Sequence, residues 1–61
     1  MDDKVKEVTE SVIKDLEYYY SQLKRTAFAV LKNDIKLPKS LLDAMTDTRL
    51  AAEELRKGLT A

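Results

Sequence analysis

The only proline of the chain sits in "NDIKLPKS" (Asn33 to Ser40), and from Asp3 to Lys32 nothing breaks a helix. Residues ahead of a proline are pushed toward extended backbone, so the sequence predicts one long helix over about 3–33 and a second over about 39–57. Ser40 and Asp43 fit the S-x-x-D capping pattern for the second helix. Alternatively Pro38 opens it, since a missing N–H costs nothing in a first turn. Gly58 directly after Arg56 and Lys57 reads as the helix end.

Apolar or small residues of the first helix fall at Val5, Val8, Val12, Leu16, Tyr19, Leu23, Ala27 and Val30. Those positions are three or four apart in an eleven-residue repeat, the signature of a nearly straight or slightly right-handed stripe. Ile13, Tyr20 and Leu31 widen the stripe on one side. The strict alternation of a strand is absent. This spacing places Tyr19 in the seam and Tyr20 at its margin, and it turns Tyr18 away. In the second helix Leu41, Met45, Thr48, Ala52, Leu55 and Leu59 form the stripe, with Ala44 and Ala51 alongside. Glu53 with Lys57, Arg49 with Glu53, and Glu10 with Lys14 are opposite charges four apart, each expected to contribute a few tenths of a kcal/mol.

Two helices joined by a short connection fold back antiparallel, so the fold class is all-α: a single helical-hairpin domain spanning residues 1–61. The helices are unequal in length. On a hairpin folded at the proline, Val5, Val8, Val12 and Ile13 extend beyond the second helix with no partner in the same chain. A 61-residue domain is marginal by itself. Small scaffolds recruit disulfides, a metal or another chain, and this one has neither cysteine nor histidine. The overhang therefore predicts a homodimeric four-helix bundle of coiled-coil type, with Val5, Val8, Val12 and Ile13 as self-association residues. A subunit of a hetero-complex is the second choice.

Little here supports catalysis, and the sequence predicts neither an enzyme nor a cofactor. Neighbouring acids such as Asp2–Asp3 and Glu53–Glu54 point about 100° apart on a helix and cannot act on one substrate atom. Asp43 and Asp47 share a face, but a carboxylate pair without further ligands is only mildly repulsive. Ser11, Ser21 and Ser40 have no histidine to activate them. One glycine cannot build a phosphate-cradling loop, and no small-molecule substrate is expected.

Eleven acidic and eleven basic residues cancel, so no global field draws the chain to nucleic acid or a membrane. The longest apolar run, "AFAVL" (Ala27 to Leu31), is far too short to span a bilayer, and "MDDKVKEV" lacks a leader's apolar stretch. A cytoplasmic location is expected. Charge is nevertheless uneven. Residues 18–40 hold Lys24, Arg25, Lys32, Lys36 and Lys39 against Asp34 alone, a segment able to contact phosphates. Tyr18, Phe28 and Leu50 fall outside the seams and suggest a surface for a partner protein. The function expected is a non-catalytic protein–protein interaction module: a small adaptor, regulatory protein or accessory subunit acting through helix faces. The alternative is a small dimeric nucleic-acid-binding regulator using the basic segment around the loop.

Overall fold

The computed structural model describes residues 2–60, in which α1 (Asp3–Lys32) and α2 (Lys39–Thr60) pack side by side as a helical hairpin. Asp2 caps α1: its carboxylate accepts the Lys4 N–H at 3.0 Å. Asp3 adds negative charge where the helix dipole favours it.

The proline is not what ends α1. Asp34 adopts a left-handed conformation (φ 56°). The Asp34 N–H returns to the Leu31 carbonyl at 3.1 Å, and the Ile35 N–H to the Val30 carbonyl at 3.3 Å. This pair of bonds is a Schellman closure with aspartate in the place usually held by glycine. Asn33 helps by donating its side-chain amide to the Ala29 carbonyl at 2.8 Å. Pro38 acts instead at the start of α2, where its carbonyl accepts the N–H groups of Leu41 (3.1 Å) and Leu42 (3.3 Å). It stands one residue outside the helix, and Ser40, already within the first turn, forms no capping pair with Asp43.

α2 does not stop at Gly58. It continues to Thr60, because Leu59 is half-buried against α1 and holds the last turn in place. Gly58 keeps an ordinary negative φ. The extra turn also accounts for Ile13. At 4% exposure it is the most buried apolar side chain described, so α2 covers it and it is not part of the overhang.

Besides Gln22, the residues of α1 that lose water are Thr9, Ile13, Leu16, Tyr20, Leu23, Ala27 and Val30. They alternate four and three apart, a heptad stripe of left-handed coiled-coil type, not the eleven-residue stripe expected. Tyr20 is accordingly in the seam and half-buried, while Tyr19 is 52% exposed. The opposing stripe of α2 is the one read from sequence: Leu41, Met45, Thr48, Ala52, Leu55 and Leu59, flanked by Ala44 and Ala51.

This seam is thin. Besides Ile13, the buried residues are Ala27, Ala52 and Thr48, whose hydroxyl is satisfied by the Ala44 carbonyl at 2.6 Å. The chain exposes 5031 Å², whereas a compact monomer of this mass exposes only about 4,000 Å². Its radius of gyration is 14.4 Å with extents of 48 × 15 × 14 Å, against about 10.5 Å for a globular chain of this length. The hairpin is a rod with an unusually large surface for its mass.

Candidate functional site

Lettering the seam residues a and d, as in a coiled coil, assigns every other residue to a flank. In an antiparallel pair the e positions of the two helices lie along one side of the seam and the g positions along the other. One observed contact fixes which is which: Glu17 and Arg56, both at e, form an ion pair of 2.6 Å. It is the only ion pair within 4.0 Å among the described residues, so the four-apart pairs expected within each helix do not close. Both partners are more than half exposed, so the bridge is worth at most about 1 kcal/mol.

The opposite, g-side flank carries no formal charge. On α1 it consists of Val5, Val12, Tyr19 and Thr26; on α2 it consists of Ala44, Ala51 and Gly58. Thr26 donates its hydroxyl to the Gln22 carbonyl at 3.1 Å, which satisfies its one strong donor within the helix. Val8 lies beside this column at a c position. Val5, Val8, Val12 and Tyr19 are all exposed. At Gly58 a side chain built onto the backbone would meet nothing within 4 Å, so the column is open there.

The valines and the overhang therefore belong together, though not as an extension of the seam. In the turns of α1 beyond α2, the seam positions are Lys6 and Thr9, which are polar, and Thr9 bonds its own helix at Val5 (2.8 Å). The apolar residues have moved one flank around. They face the same way as Tyr19 and the alanine column, not toward a longer α2.

Tyr18, Phe28 and Leu50 are exposed, but the structure does not bring them together. Tyr18 is at f on the back of α1 and Leu50 at f on the back of α2, so they point to opposite sides of the rod. Phe28 is at b, toward the e-side flank. Lys24, Arg25, Lys32, Lys36 and Lys39 are all exposed as well. Lys24 lies on the e-side flank, Arg25 and Lys32 on the back of α1, and Lys36 and Lys39 at the loop.

At the open end a shallow depression of about 560 Å³ lies between Glu10, Ile13 and Glu17 of α1 and Arg56, Leu59 and Thr60 of α2. Its charges belong to the ion pair just described and to the solvated helix ends. No group of three or more acidic, histidine or cysteine residues gathers among the described residues. Among the described residues no helix is long and apolar enough to cross a membrane. The structural signal that sequence reasoning missed is the second apolar column on α1; a heptad count begun at Ile13 separates it from the seam. No family model, curated protein or solved structure matches the chain.

Proposed function

We propose that the protein is a non-catalytic interaction module of the cytoplasm whose working form is a homodimeric four-helix bundle joined through the uncharged g-side flank. The observation that carries this reading is the excess of surface together with where it lies. Roughly 1,000 Å² beyond a compact monomer matches what one partner gives up at a standard protein interface, about 800 Å². The flank able to give it up is apolar at Val5, Val8, Val12 and Tyr19 and has no charge at its g positions, with Asp15, Asp47 and Glu54 bordering it at c. A helix with apolar residues at a, d and g is patterned for a bundle, whereas a pair alone needs only a and d.

A second copy fits this flank better than a foreign chain because the flank is self-complementary. Large residues recur once per heptad on α1 (Val5, Val12, Tyr19) and small ones once per heptad on α2 (Ala44, Ala51, Gly58). A two-fold axis along the bundle sets the large column of each copy against the small column of the other, with all neighbouring helices antiparallel. It also brings the two overhangs together at one end, where Val5 and Val8 meet a like surface.

Single cysteines provide the test, because the natural chain has none. A thiol at Val12→Cys, on the flank, becomes slower to label as protein concentration rises. A thiol at the neighbouring Ser11→Cys, on the back of α1, labels at a constant rate. Equal, concentration-independent labelling at both positions overturns the dimer.

A further inference from the structure

The flank opposite the proposed dimer face repeats in step along both helices. From the Glu17–Arg56 ion pair, one heptad toward the loop on each helix leads to Lys24 and Arg49, and a second leads to Leu31 and Leu42. The successive rungs are thus an ion pair, two cations across the seam from each other, and two leucines. Among the described residues, neither Lys24 nor Arg49 has an acid within ion-pair distance. Leu31 and Leu42 are exposed; so is Phe28, one helical turn before Leu31 on the same side. A shallow depression of about 270 Å³ lies alongside, lined by Tyr20, Leu42, Met45, Thr46 and Arg49.

We infer that this flank docks an acidic amphipathic helix of another protein. The leucines and Phe28 take its apolar stripe, and the unneutralised Lys24–Arg49 rung takes its carboxylates. Helix-in-groove recognition needs this combination of an apolar strip, an indentation for an anchoring side chain and a charged rim. Nucleic acid is a poorer fit: Phe28 is the one exposed ring on the strip, and base stacking along a strand requires successive rings. Tyr18 and Tyr19 face elsewhere. The acidic overhang of another copy is a poorer fit too. Its acids Asp3 and Glu10 lie at e while Val5 and Val12 lie at g, so it cannot present both to one surface. On the bundle proposed above the flank faces outward, and each dimer carries two such sites.

The experiment uses the full chain and two synthetic helices with the same leucine face, one with a glutamate polar face and one with a lysine polar face, read by fluorescence anisotropy. Phosphatidylserine vesicles and a single-stranded RNA oligonucleotide serve as competing probes. The glutamate helix binds and the lysine helix does not. Leu31→Glu with Leu42→Glu weakens binding at least about tenfold. Lys24→Glu with Arg49→Glu reverses the preference toward the lysine helix, a swap that mere loss of structure cannot produce, and both double variants sediment like the wild type. Equal binding of the two helices overturns the assignment. So does tighter binding to vesicles or RNA, an unreversed preference, or growth of the wild type into open filaments.

Discussion

Replacing Val8 and Val12 together with aspartate tests the bundle where its energy is concentrated. The two side chains are 57% and 40% exposed in the isolated hairpin, so together they leave about one whole valine unburied. Covering that much apolar surface is worth about 1.5–3 kcal/mol per copy. Lost from both copies, it amounts to about 3–6 kcal/mol, or roughly a hundred- to ten-thousand-fold in the dissociation constant. The two buried carboxylates add a further penalty with no cation on the flank to offset it. Within the hairpin the same change costs little, because both positions are exposed and valine and aspartate have nearly equal helix propensities. Sedimentation equilibrium with circular dichroism therefore sees a monomer, or an unfolded chain if the hairpin depends on its mate. Ser11→Asp puts one such carboxylate on the back of α1 and leaves the dimer intact. A double variant with the wild-type mass refutes the reasoning, and so does a Ser11→Asp variant that dissociates equally.

Three further outcomes follow from particular residues. Asp34→Gly relieves a left-handed backbone and raises stability by about 0.5–1 kcal/mol, seen as a higher denaturant midpoint at unchanged slope. Thr48→Val exchanges a hydroxyl already satisfied by its own helix for a methyl in the seam, and it stabilises by about 0.5–1 kcal/mol in the same assay. Spin labels at Lys4→Cys, on the back of the overhang, lie roughly 20–30 Å apart across a two-fold along the bundle. An axis perpendicular to the bundle would separate them by about 40 Å or more, given the length of α1; pulsed electron resonance distinguishes the two.

The hairpin and the whole seam of α2 were legible in the sequence because α2 has one apolar stripe and little competing with it. α1 was harder because it has two. Counting Val5, Val8, Val12, Leu16 and Tyr19 as one series steps from the g-side column into the seam and back, which yields an eleven-residue repeat belonging to neither. The tyrosines were exchanged for the same reason: Tyr20 packs between the helices and Tyr19 lies on the open flank. The sequence places Ile13 in the overhang because Gly58 reads as a terminator. Glycine ends a helix by adopting a left-handed conformation, and here burial of Leu59 carries the helix through it. The Asp34 closure had no glycine to announce it. The step-wise pairing of Lys24 with Arg49 and of Leu31 with Leu42 required the register, which only the Glu17–Arg56 contact supplied.

The central claim is that so thin a seam folds together with a second copy. Sedimentation equilibrium of the wild-type chain over a wide concentration range, with thermal unfolding on the same samples, tests it most directly. The account predicts twice the 7.0 kDa chain mass and a melting temperature that rises with concentration, as mass action requires of a dimer. A stable species of the chain mass, melting at one temperature at every concentration, contradicts it.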